Sequence, residues 1–66
     1  MTIQILELFV EDIDKILPLE QELYHKPWQK KDYEYELKEN AFAHYLKMIN
    51  ADNNEIIGYI GFWVKF

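Results

Sequence analysis

The sequence predicts an α+β fold in the order strand, helix, helix, strand, strand (β-α-α-β-β), with a sheet edge left open at the carboxyl end. Three observations predict it. Apolar residues recur at three- and four-residue steps from Val10 to Tyr24, the period of a helix face. Runs rich in Ile and Leu or in aromatics, of strand length and composition, lie at the two ends of the chain. Near the carboxyl end, Asp52-Asn53-Asn54 separates two strand-like segments with residues that tolerate positive φ, as a hairpin requires.

The first element is a strand over Ile3 to Leu8, with Ile3 and Ile5 on one face. Helix one follows from Val10, carried by Ile13, Ile16, Leu17, Leu23 and Tyr24. Glu11, Asp12 and Asp14 stand in its first turn, where carboxylates suit the helix dipole. Pro18 removes a backbone donor inside it and predicts a kink or a break, and the end is expected near Tyr24. His25-Lys26-Pro27-Trp28 is a connection, because Pro27 biases Lys26 toward an extended backbone. Helix two is predicted over Lys31 to Asn40, with Tyr33 and Leu37 as its apolar seam, Glu34 and Lys38 as an i,i+4 ion pair, and Asn40 as its stop. Phe42 to Ala51 suits a strand with Tyr45 and Ile49 on one face and Leu46 and Met48 spread over both. The last strand begins at Ile56, with Ile56, Ile60, Phe62, Val64 and Phe66 on one side and Ile57, Tyr59 and Trp63 on the other.

Both faces of that last strand are apolar, a pattern normal for a central strand covered above and below. The expectation is therefore that residues 1–66 are a single partial domain, the first part of a larger fold. An open aromatic edge also favours self-association or aggregation. The alternative is a small helix-on-hairpin protein whose exposed strand pairs with a second copy.

Composition narrows the function. Half of the 66 residues are apolar and 17% are aromatic, too many for a disordered tail. A folded chain of this length buries only about 60% of its unfolded surface, and without cysteine neither disulfides nor thiolate zinc can staple it. Twelve acidic residues against seven lysines give a net charge of −5, the wrong sign for a nucleic-acid partner. The amino terminus does not read as a signal peptide, and Ile56 to Phe66 falls short of the ~20 residues of a spanning helix. A cytoplasmic protein with no membrane partner is expected.

No complete catalytic constellation can be assembled from these residues. Glu22 and His25 have the spacing of part of a carboxylate di-iron site, but the other ligands are missing, so His25 reads as a partly exposed helix-end residue and no metal is expected. His44 reads as structural. Asp52-Asn53-Asn54-Glu55 lacks the glycine and distant glutamate of a calcium loop and is a turn. Gly58 and Gly61 lie within a strand, where glycine marks close packing or a bulge. Tyr24, Pro27 and Trp28 stand out, because they place two large aromatics and a rigid residue on an interhelical connection, where binding surfaces concentrate. The competing reading makes Trp28 a packing staple folded over Tyr33 or Leu37.

These residues also resemble the amino-terminal portion of the GNAT N-acetyltransferases, most closely the ribosomal-protein-alanine (RimI-like) group. Val10-Glu11-Asp12-Ile13-Asp14 looks like that group's helix-one opening, and Leu19-Glu20 like its Ile-Glu. Tyr24 and Pro27-Trp28 resemble its aromatic followed by Pro-Trp, and Tyr33 and Glu36-Leu37 its Phe and Glu-Leu. Tyr45 and Ile57 to Trp63 complete the match. The resemblance implies the first half of the acyl-CoA N-acyltransferase fold. It further implies an enzyme that, when complete, transfers acetyl from acetyl-CoA to the α-amino group of a protein such as a ribosomal protein. The acetyl-CoA loop and the catalytic acid and base of that family lie beyond the residues matched, so the chain alone is expected to be inactive. Tyr24, Pro27 and Trp28 are then candidates for the acceptor groove. His25 stands where relatives often have proline, Gln29 where a serine cap is common, and Pro18 interrupts helix one. The alternative function is a non-enzymatic interaction module that pairs its Ile56–Phe66 strand with another chain.

Overall fold

A computed structural model describes residues 1–64. Its elements are β1 (Ile3–Glu7), a 3-10 turn (Val10–Asp12), α1 (Ile13–Leu23), α2 (Lys30–Glu39), β2 (Ala43–Asn50) and β3 (Glu55–Trp63). The class is α+β, and the order is the one the sequence predicts. The sheet is antiparallel in the order β1-β2-β3, so the middle strand is β2.

Helix α1 presents Ile13, Ile16, Leu17 and Glu20 inward, at the i, i+3, i+4 and i+7 positions of one helix face. Leu23 and Tyr24 do not continue that stripe. Both are exposed, because α1 stops at Leu23 and the chain turns away in extended conformation at Tyr24. Of the kink or break expected at Pro18, the break does not occur: α1 runs unbroken from Ile13 to Leu23. The bond it forfeits is the one to the Asp14 carbonyl, and both residues are exposed, so water can take that acceptor. Before α1, the Phe9 N–H donates to Asp12 Oδ2 at 2.8 Å and closes the 3-10 turn. Before α2, the Gln29 N–H donates to Asp32 Oδ2 at 2.8 Å. Asp32 thus supplies the return half of a capping box, its carboxylate accepting from the N–H of the N-cap residue Gln29. At the other end, the Asn40 amide donates to Glu36 Oε2 at 3.0 Å and its carbonyl oxygen accepts from the Phe42 N–H, which turns the chain into β2. The Glu34–Lys38 pair forms at 3.5 Å on the exposed side.

The buried core is Leu8, Ile13, Ile16 and Tyr33, with Leu17, Leu37, Tyr45, Ile56 and Tyr59 packed around it. Ile56 and Tyr59 both face the helices, whereas simple alternation puts them on opposite sides. The cause is a β-bulge. Met48 pairs with Gly58 and the next residue, Ile49, pairs with Ile56, so Ile57 has no partner and the alternation of β3 reverses there. In β2 the alternation is regular, and Leu46 and Met48 share the face away from the helices rather than spreading over both. Asn54, at φ 59°, makes the tight turn between the two strands.

The helices cover one sheet face only. Ile5, Ile60 and Phe62 lie on the other and are 62%, 60% and 43% exposed. Strand β3 is an edge strand of this sheet, and its outer edge has no partner among the described residues. The expected extension of the strand pattern to Phe66 lies outside the described residues.

Candidate functional site

Where α1 ends, the connection to α2 borders an open cavity of about 390 Å³. Its walls come from the end of α1 and the connection (Glu20, Tyr24, Lys26, Trp28), from α2 (Tyr33), and from Tyr45 of β2 and Tyr59 of β3. The backbone of β3 itself forms part of the wall at Ile60 and Gly61. Glycine at 61 is a steric necessity, because the ring of Tyr45 lies where a Cβ would project. Gly58, at the bulge, faces Met48 at ordinary contact distance.

Glu20 organises the site. Only 4% exposed, its carboxylate accepts the Tyr33 hydroxyl on Oε1 at 2.7 Å and the Tyr59 hydroxyl on Oε2 at 2.8 Å. A longer bond, 3.4 Å, comes to Oε1 from the Trp28 N–H. One side chain of α1 thereby ties α2, β3 and the connection together. Burial, and after it the bond to Glu20, raises the Tyr33 phenol above its ordinary value. The same two causes push Tyr59 up to about 12. Tyr45 is raised as well, by burial first and then by the nearby Glu36 and Glu20 charges.

The sequence-predicted residues divide. Tyr24 and Trp28 both line the cavity, while Pro27 lies in the connection and is not part of its wall. Trp28 also does what the packing alternative expects, its ring standing 5.1 Å from that of Tyr33, yet it stays 39% exposed. Glu20 and Tyr59 were not singled out as site residues by the sequence. A signal for Glu20 existed: it sits seven residues after Ile13, on the buried stripe of α1, where a carboxylate must find donors. Which donors was not readable, because Tyr33 and Tyr59 are 13 and 39 residues away.

The remaining polar clusters are structural. Asp12 and Lys47 form a nearly buried pair at 2.7 Å, with the ammonium 5.5 Å from the centre of the Phe9 ring. Burial alone raises the Asp12 carboxyl, but the bonds from Lys47 and the Phe9 N–H, with the Lys47 charge, outweigh it and leave the pKa below 3.8. His44 stacks on Phe62 at 5.4 Å. Among the described residues, no three His, Cys, Asp or Glu side chains are grouped to hold a metal ion, and no helix is long and apolar enough to cross a membrane.

The Leu19-Glu20, Pro27-Trp28 and Glu36-Leu37 pairs resemble those of the N-acetyltransferases. Comparison with known proteins bears on that class directly. The chain is 40% identical over 55 residues to the protein named "Putative ribosomal protein bS18-alanine N-acetyltransferase" of Bacillus subtilis (strain 168). The match takes in 83% of this chain and 35% of that relative, so the chain spans about a third of the relative's length. The resemblance to ribosomal-protein-alanine N-acetyltransferases is thus carried by most of the chain. No family model matches the chain, and no solved structure matches it significantly.

Proposed function

We propose that residues 1–66 are the acceptor-side portion of a GNAT-fold N-acetyltransferase domain. The complete enzyme transfers acetyl from acetyl-CoA to the α-amino group of a protein, such as a ribosomal protein, in the cytoplasm. In that reaction the amine nitrogen bonds to the acetyl carbon, the thioester C–S bond breaks, and a proton passes from the amine to a base while the thiolate leaves. The observation that carries the reading is the cavity walled by Tyr24 and Trp28, taken with the similarity to a named alanine N-acetyltransferase. Tyr24 and Trp28 contact the acceptor peptide, and Pro27 sets the path of the connection that presents them.

The described residues do not fit the pyrophosphate of acetyl-CoA. Phe9 and Asp12 precede α1 and Gln29 precedes α2, with no glycine at either helix start, and both glycines of the chain lie in β3. In this reading the cofactor site and the catalytic groups belong to parts of the complete domain other than its acceptor side. Isothermal titration of acetyl-CoA into the isolated chain, which should be inactive, tests this: no measurable binding is expected, and micromolar binding overturns it. A second reading, a non-enzymatic module that pairs with another chain, is favoured by the unpaired edge of β3.

A further inference from the structure

We infer that Glu20 is the anchor for a primary ammonium group, the protonated amino terminus of an incoming peptide, held in the cavity against the rings of Tyr24 and Trp28. The inference rests on the acceptor-groove reading and specifies which group of the acceptor enters first. It begins from an imbalance. Glu20 is buried, and among the described residues every donor that reaches it is neutral: two phenols and one backbone amide. The lysines that form ion pairs in this structure pair with Asp12, Asp14 and Glu34 instead. A buried carboxylate is costly unless a counter-charge meets it. Asp12, comparably buried, receives its cation from within the fold through Lys47. Glu36 also has only a neutral partner, Asn40, but it does not line the cavity. Among these acids, only Glu20 combines burial, neutral partners and a cavity open to a ligand.

Capacity and shape agree with that assignment. A carboxylate offers about four lone-pair directions. Oε1 accepts two bonds and Oε2 one, so Oε2 keeps acceptor capacity for a further donor without loss of any partner. An ammonium there has aromatic faces beside it, and such faces attract cations. Tyr33 and Tyr59, by holding both oxygens, fix the carboxylate's orientation and act as positioning residues. The ammonium is the binding form. Its proton must leave before the nitrogen can attack a thioester, which separates recognition by Glu20 from the later work of a base.

Titrate the full 66-residue chain with a short alanine-led peptide bearing a free α-amine, and separately with its N-acetylated counterpart, following the amide and indole signals of Tyr24 and Trp28 by NMR. The free amine should bind about tenfold or more tightly than the acetylated peptide, and Glu20→Gln should erase the difference. Equal binding of both peptides by the unmodified chain overturns the ammonium assignment while leaving the acceptor groove standing. Binding of neither peptide overturns the groove and the ammonium assignment together. A preference that survives Glu20→Gln places the ammonium on another group and overturns the inference. The comparison on the unmodified chain decides even if the Glu20 variant fails to fold.

Discussion

At the scale of single residues, Glu20 and Tyr59 make a prediction about alkaline pH. The unfolded Tyr59 phenol loses its proton near 10.0, whereas in the fold it holds the proton to about 12, through burial and then the bond to Glu20. A group whose folded pKa is raised contributes stability that is complete below the unfolded value and is lost as pH climbs through the folded one. The urea midpoint should therefore fall between pH 10 and 12, as tyrosinate absorbance grows. Tyr59→Phe should flatten that fall. An equally steep decline in the variant would mean that the bond to Glu20 is not the linkage. Tyr33, raised by the same causes, adds to the loss in the same direction.

Among the elements, α1 and β3 each carry one residue that breaks the local pattern. Pro18 lies in the helix interior, where proline costs up to ~3 kcal/mol relative to alanine. Pro18→Ala restores the bond to the Asp14 carbonyl and also loosens the unfolded chain, which offsets part of the gain. A net stabilisation of about 1–2 kcal/mol is expected, read as a higher urea midpoint with an unchanged slope. Loss of stability would mean that the proline is needed to aim the end of α1 at the cavity. In β3 the irregularity is useful: the bulge at Ile57 turns Ile56 into the core while Tyr59 still reaches Glu20.

For the whole molecule, the governing fact is that one sheet face is covered and the other is not. Ile5, Ile60 and Phe62 form part of an apolar surface beside the unpaired edge of β3, and the charge in that strand is confined to Glu55. Such an edge invites pairing. Sedimentation of the isolated chain should show self-association that rises with concentration, and Ile60→Lys, at a 60% exposed position, should reduce it at a cost within about 0.5 kcal/mol. A chain that stays monomeric at high concentration, with amides protected along β3, would remove the interaction-module reading.

Much of the fold was legible from local pattern. The helical period, the first-turn acids, the Asp-Asn-Asn turn and the strand composition determined element order and class, because each depends on residues a few positions apart. The same locality exposed Tyr24, Pro27 and Trp28 and the resemblance to an acetyltransferase. Tertiary structure alone decided the bulge, which depends on how two strands register, and the continuity of α1 through Pro18, which depends on solvent reaching a carbonyl. It also decided the site. A glutamate on α1 becomes a buried carboxylate only when α2 and β3 bring phenols to it across 13 and 39 residues, and no local period encodes that meeting.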